Sequence, residues 1–140
     1  MQRALSRQGY PKERTMEVRR KILLIDEKRD SPILIFLQQE GSEVIACESP
    51  QKAWGLVWPF QPHFIIVRLP NLSKRDIATL QGCRALAGGV PIIIATSIPG
   101  SEVVVKALEE GTTALLPLPV NHQAIRKILD ELEPPVVSNY

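Results

Sequence analysis

The chain has 140 residues, 44% of them hydrophobic, 23% charged and only 5% aromatic, a length that suits one domain burying roughly two-thirds of its unfolded surface. No apolar run approaches the ~20 residues of a membrane-spanning helix and no signal-peptide pattern is present. The two cysteines, Cys47 and Cys83, have no His or Cys partner at metal spacing, which excludes a zinc site or a disulfide framework as the organising principle.

The formal net charge of +2 is uneven, because residues 1–20 hold six basic residues against two acidic ones, a net of +4, and the rest of the chain sums to −2. Residues 1–20 are expected to form a basic, flexible extension, and Met16 is an alternative start just ahead of the first strand. Charge alone would let such an extension touch nucleic acid or an anionic membrane. The body is expected to be a soluble, cytoplasmic, single domain over residues 21–133, followed by a tail over 134–140.

Residues 21–26, Lys-Ile-Leu-Leu-Ile-Asp, predict a first strand buried on both faces. Ser31-Pro32 is a helix N-cap with proline at the first helical position, and that helix runs to about Glu40 and stops at Gly41. Val44–Cys47 predicts the second strand. Ser49-Pro50 repeats the cap-then-proline signal and opens a short helix with Ala53, Trp54 and Val57 that ends before Pro59. Phe64–Val67 predicts the third strand. Ser73-Lys74-Arg75-Asp76 resembles a capping box with Asp in place of Glu, starting a helix through Ile77, Leu80 and Leu86 to Gly88-Gly89. Pro91–Thr96 predicts the fourth strand, and a helix from about Ser101 carries Val104, Val105 and Leu108 to Gly111. Thr113–Leu116 is a weaker fifth strand. Asn121 caps a last helix with Ile125, Ile128, Leu129 and Leu132, closed by Pro134-Pro135.

Five strands alternating with five helices imply a parallel sheet with right-handed crossovers and helices on both faces. Sites in such sheets lie beyond the carboxyl ends of the strands. That directs attention to Asp26-Glu27, Arg68, Thr96 and the residues after Leu116.

The series of segments, from Lys21 to about Glu133, resembles the receiver domain of bacterial two-component response regulators. The resemblance rests on Lys-Ile-Leu-Leu-Ile-Asp-Glu with its paired acids Asp26 and Glu27, Gly41-Ser42-Glu43-Val44 before the second strand, and Ala53 in the second helix. It rests also on Val90–Ser97 with Thr96 at the hydroxyl position, Ala107–Gly111, and Pro119 as the proline of a Lys-Pro pair. It implies a flavodoxin-like, CheY-like three-layer (βα)5 fold, with a five-stranded parallel sheet in the order 2-1-3-4-5. It also implies that the Leu118-Pro119 bond is cis.

The resemblance breaks at the chemistry. The position of the family's phosphoacceptor aspartate, at the end of strand three, holds Arg68, whose guanidinium is not a nucleophile at any accessible pH. The family's lysine corresponds to Leu118 and its aromatic switch to Leu115, and Thr96 is expected to be a remnant without a role. The degenerate pocket is therefore Asp26, Glu27, Arg68, Thr96 and Leu118, with no catalytic residue. A hard cation needs oxygen ligands; Asp26 and Glu27 remain as a weak remnant of a metal site, and no cofactor, magnesium included, is expected. Arg68 is expected to pair with Asp26 or Glu27, the alternative being a guanidinium turned into solvent.

His63 and His122 are isolated and are expected to be surface or capping residues, while Cys47 is expected to be a small buried hydrophobe. Trp54 stands where the family has a buried aliphatic residue. Trp58 is either a contact for a partner or folded back onto Phe60 or Pro62. By resemblance, the face of the fourth helix, fifth strand and fifth helix is the partner or dimer surface, offering Glu102, Lys106, Glu109, Leu115, Arg126 and Asp130.

These readings lead to a stand-alone pseudo-receiver acting by phosphorylation-independent association with a signalling protein or with itself. The alternative is a flavodoxin-like domain binding a small ligand or nucleotide. It is disfavoured by a loop after strand one with acids and no glycine to receive phosphate. A nucleic-acid partner has only residues 1–20 in its favour, and no insertion into a membrane is expected.

Overall fold

The computed structural model describes residues 19–109 and 114–132. Its elements are β1 (Lys21–Ile25), α1 (Pro32–Gln39), β2 (Glu43–Cys47), α2 (Pro50–Ala53), α3 (Val57–Phe60), β3 (Phe64–Arg68), α4 (Lys74–Ala87), β4 (Ile92–Thr96), α5 (Glu102–Glu109), β5 (Ala114–Pro117) and α6 (His122–Leu132). Every strand pairing is parallel and the order is β2-β1-β3-β4-β5, which is the flavodoxin-like α/β architecture expected from the sequence. The expected stops at Gly111 and Pro134-Pro135, the 134–140 tail and residues 1–18 of the extension lie outside the described residues.

Side chains alternate across a strand with period two, so each apolar run feeds two cores. Leu23, Ile25, Ile65, Val67, Ile92 and Ile94 face α2, α4 and α5, meeting Ala53, Leu80, Cys83, Val104 and Ala107. Ile22, Leu24, Phe64, Ile66, Ile93 and Ala95 face α1 and α6, meeting Ile33, Leu37, Ile125 and Leu129. Burial on both faces is why these strands read as unbroken apolar runs instead of alternating ones.

The helix starts follow the sequence. Ser31 Oγ accepts from the Ile33 N–H, Ser49 Oγ from Lys52, Ser73 Oγ from Asp76, Ser101 Oγ from Val104 and Asn121 Oδ1 from Ala124. The capping box is only half made: the Asp76 carboxylate takes the Asn71 N–H, not that of Ser73. Gly88, with φ 55°, closes α4 in the left-handed region that glycine adopts without strain.

Two expectations fail between β2 and β3. The single helix expected there is two short ones, α2 and α3, and Pro59 lies inside α3. Proline is tolerated there because the first-turn N–H has no intrahelical acceptor. Trp54, expected in a buried position, caps α2 and is exposed, because Ala53 fills the core contact that this short helix can reach.

The boundary of the extension also moves. Arg19 Nε donates to the Gly41 carbonyl at 2.8 Å, and Arg20 pairs with Asp130 on α6 at 2.5 Å, so both residues belong to the folded body.

A polar latch ties α1 to α6. Glu40, capping α1, accepts from Arg126 Nε at 3.1 Å and Nη2 at 2.8 Å, and its Oε2 lies 2.5 Å from His122 Nε2. The Phe36 ring stacks on His122 with centroids 5.2 Å apart. A carboxylate at a helix C-terminus opposes the helix dipole; the two partners from α6 offset that. Hydrogen bonding from Arg126 holds the Glu40 carboxyl below its ordinary value of 4.5.

Two predictions concern this framework. A Cβ at Gly82 would stand 3.0 Å from Cβ and Cγ of Pro50, where α4 crosses α2; Gly82→Val is expected to lose about 1–3 kcal/mol of stability in urea unfolding. A depressed carboxyl contributes stability that is present above its unfolded value and lost as pH falls through its folded value. The stability advantage of the native chain over Glu40→Gln, followed by urea unfolding against pH, is therefore expected to shrink as pH falls below about 4.5.

Candidate functional site

The parallel register delivers four expected site residues to one edge of the sheet. Asp26 follows β1, Arg68 ends β3, Thr96 ends β4 and Leu118 follows β5. Asp26 is held in place by its own N–H, which donates to the Cys47 carbonyl at 2.9 Å. Its side chain is 1% exposed, and Oδ1 accepts from the Lys28 N–H at 2.9 Å. Oδ2 is buried without a hydrogen-bond partner.

Arg68 turns to this carboxylate. Its Nη1 lies 3.8 Å from Asp26 Oδ1, with the side chain 22% exposed. That distance is an ion pair and not a hydrogen bond. It nonetheless brings a fixed positive charge to a carboxylate that water does not reach, which a buried anion requires. Glu27 goes elsewhere: its exposed carboxylate pairs with Arg75 at the start of α4, at 2.5 Å. The adjacent acids thus diverge, one inward and one outward, each with its own guanidinium.

Thr96 is buried, and its Oγ1 accepts from the Ile98 N–H at 3.3 Å, a local turn contact. Leu118 packs half-buried against the core under α6, its N–H donating to the Thr96 carbonyl at 2.9 Å, and the Leu118–Pro119 bond is cis. Leu115 packs on the opposite core. At Leu118, then, the pocket wall is apolar.

A hard divalent cation takes six or more oxygen ligands. The donors here do not fit one. Asp26 Oδ2 is buried without a hydrogen-bond partner, Glu27 is held by Arg75, and the third position carries a guanidinium. Among the described residues no three His, Cys, Asp or Glu side chains come together as a metal cluster.

The groove beside the strand tips, of about 660 Å³, is lined by Glu27, Glu48, Ser49, Gln51, Lys52, Arg75, Ala78 and Thr79. Its charges pair internally, Glu27 with Arg75 and Glu48 with Lys52. Ligand pockets for nucleotides and cofactors are mostly apolar with a few polar groups; this groove is about half polar and carries four charged side chains.

Several expected residues stand differently from their reading. Cys47 is half-exposed on the edge strand, and burial raises its thiol; Cys83, inside the core, is pushed up to about 12 by the same cause. Both are protonated at neutral pH and so are poor nucleophiles. His122 is neither isolated nor a cap, since it belongs to the α1–α6 latch. His63 is exposed and accepts from the Lys21 N–H through Nδ1. Trp58 is 81% exposed, while Phe60 and Pro62 are buried, which overturns the reading that folds it back on them. Glu102, Lys106 and Glu109 lie exposed along α5, with Val105 and Leu108 exposed beside them. Arg126 and Asp130 do not join that row for reciprocal pairing; they are engaged by Glu40 and Arg20 on the α1 side.

Sequence reasoning missed Arg75 as the partner of Glu27, and the Glu40–Arg126 contact. Residues 48 and 86 positions apart carry no local signal of pairing.

No protein-family model and no curated protein matches the chain by sequence. Solved structures do match. A two-component response regulator from Clostridium difficile is 22% identical with a TM-score of 0.68, over 81% of this chain and 95% of that one. A response-regulator receiver domain from Clostridium thermocellum is 24% identical with a TM-score of 0.65, over 81% and 93%. A putative pilus assembly-related protein from Burkholderia pseudomallei is 14% identical with a TM-score of 0.66, over 85% and 94%. The chain has the receiver, CheY-like fold.

Arg68→Leu would leave a buried carboxylate with no cation beside it. We expect it to destabilise the chain by about 2 kcal/mol, less than for a fully buried pair because the guanidinium is partly hydrated. Adding Asp26→Asn should recover part of that loss in urea unfolding; an unchanged midpoint for Arg68→Leu would show the pair to be immaterial.

Proposed function

We propose that this chain is a degenerate member of the response-regulator receiver family, a pseudo-receiver. It works in the cytoplasm, in signal transduction, through phosphorylation-independent association with a protein partner. It is not an enzyme and requires neither magnesium nor another cofactor. The observation that carries this reading is the ion pair between Arg68 and Asp26 at the tips of β3 and β1. Where the family places a carboxylate that accepts a phosphoryl group, this chain has a group that cannot attack phosphorus and that already supplies the positive charge a metal would bring. The apolar Leu118 supports it too, since no side-chain cation is available there to meet phosphoryl oxygens.

With no carboxylate to accept a phosphoryl group, what remains for function is the surface. The exposed row on α5 and the exposed Trp58 are the parts of it with side chains suited to contact. Exposed Val105 and Leu108 among the charges of α5 are the kind of mixed surface found at transient interfaces.

Incubation of the native chain with acetyl phosphate and magnesium is expected to add no phosphoryl group by intact mass. Arg68→Asp is expected to gain magnesium affinity by titration calorimetry, because it returns a second carboxylate to Asp26. A phosphoryl adduct on the native chain would refute the proposal.

A further inference from the structure

We infer that the outer edge of β2 is an interface at which two copies of this chain pair antiparallel, joining their sheets into one. The pseudo-receiver reading is not needed for it. β2 closes the sheet on one side and β5 on the other, and the two edges differ. β5 carries Pro117, and proline has no N–H to offer an incoming strand. The middle of β2, Val44-Ile45-Ala46, has neither proline nor charge. Its cover is also thin: Val44, Ile45 and Cys47 are half-buried and Ala46 is exposed, where β1, β3 and β4 are buried almost throughout.

The ladder to β1 fixes what this edge presents. The Glu43 N–H donates to the Arg20 carbonyl at 2.8 Å, and the Cys47 carbonyl accepts from the Asp26 N–H at 2.9 Å. Glu43, Ile45 and Cys47 therefore turn their backbone groups towards β1, while Val44 and Ala46 turn theirs outward. A twofold axis at Ile45 sets Val44 opposite the second copy's Ala46, and each such pair exchanges two hydrogen bonds. In that register Ile45 meets its own counterpart on one face, and Val44 meets Ala46 on the other. Both cores, to which Ile45 and Val44 belong, then continue across the axis.

Charge selects a second copy over an unrelated strand. The same register brings the start of one β2 to the end of the other. At the start, the exposed Glu43 carboxylate has no hydrogen-bond or ion-pair partner among the described residues. Arg19 stands beside it, its guanidinium bound to the Gly41 and Ser42 carbonyls with no described carboxylate in ion-pair reach. At the end, Glu48 and Lys52 pair with each other on the rim of a groove of about 310 Å³ that Cys47 also lines. Glu43 falls opposite the second copy's Cys47, beside its Lys52. Ser42, which carries Arg19, falls opposite Glu48. Each end of the interface thus gathers two cations and two anions. A foreign strand would have to reproduce that arrangement; a second copy has it by symmetry.

The strands are short, so the interface falls at the small, reversible end of the range. Sedimentation of the full chain from about 1 µM to 1 mM should show monomer passing to dimer, with a Kd on the order of 10–100 µM. Ala46→Pro removes an N–H that the ladder to β1 does not use, so it should stay folded by circular dichroism and remain monomeric. Glu43→Lys should weaken the dimer about tenfold, and adding Lys52→Glu should restore it. Register has its own readout. Glu43→Cys stands across from the native Cys47 of the second copy, with Cα atoms about 4.5 Å apart and within disulfide reach. Mild oxidation should link two chains between position 43 and Cys47, and adding Cys47→Ser should abolish the link. The inference is overturned by a chain that stays monomeric throughout, by a dimer that Ala46→Pro leaves intact, or by a link that survives Cys47→Ser. A dimer that Leu108→Ser dissociates would put the interface on α5 and overturn it as well. So would dimerisation only after removal of residues 1–18, which would show that segment on the edge in place of a second copy. None of these outcomes bears on phosphorylation, so this inference and the pseudo-receiver reading stand or fall separately.

Discussion

A parallel strand buried on both faces has no room for charge except at its ends, and that constraint organises this molecule. β1, β3 and β4 bury their side chains in two cores, so the polar groups that terminate them converge at the carboxyl edge. Asp26 and Arg68 are forced into company there, since neighbouring strands in register end side by side. The carboxylate is desolvated by the fold itself, and the guanidinium is the cation within reach. In a receiver fold this edge is where chemistry would take place. Here the same geometry holds a pair of opposite charges.

Away from that edge, charge serves cohesion. Glu40, Arg126 and His122 close the seam between α1 and α6, and Arg19 and Arg20 tie the chain's approach to β1 onto the α1–β2 turn and onto α6. These contacts withdraw Arg126 and Asp130 from the face they share with α5 in outline, so the two sides of that face differ. The α5 side keeps exposed charge and exposed aliphatic groups. The α2–α3 segment differs from both, because two single-turn helices cannot bury every large side chain they carry. Ala53, Phe60 and half of Val57 satisfy the core, and the tryptophans are left outside it.

Local patterns account for what was legible beforehand. The strands announced themselves as short apolar runs, and the helix starts as Ser or Asn ahead of a helical run, because burial on both faces and first-turn N–H groups each demand particular residues at short range. The cation at Arg68 was equally visible, since it is a matter of residue identity at a strand end. The break between α2 and α3 was not. Pro59 reads as a stop, and only the placement of the neighbouring turns shows that it falls in a first turn that tolerates it. Trp54 was misplaced for a related reason: which residue of a short helix meets the core depends on where the helix lies against α4, set by the close approach of Gly82 to Pro50.

The sequence by itself determined the alternation of strands and helices, and with it the layers, and the cation at the tip of the third strand, because each follows from residue type and short-range spacing; the strand order came from the resemblance to receiver domains. Only the tertiary structure decided that Arg68 meets Asp26 while Glu27 meets Arg75, that Glu40 gathers two partners from α6, and that the indoles face outward. Those are contacts between residues far apart in the chain. They are chosen by the packing of whole elements, where distance and desolvation, not local preference, select which charges meet and which surfaces stay open.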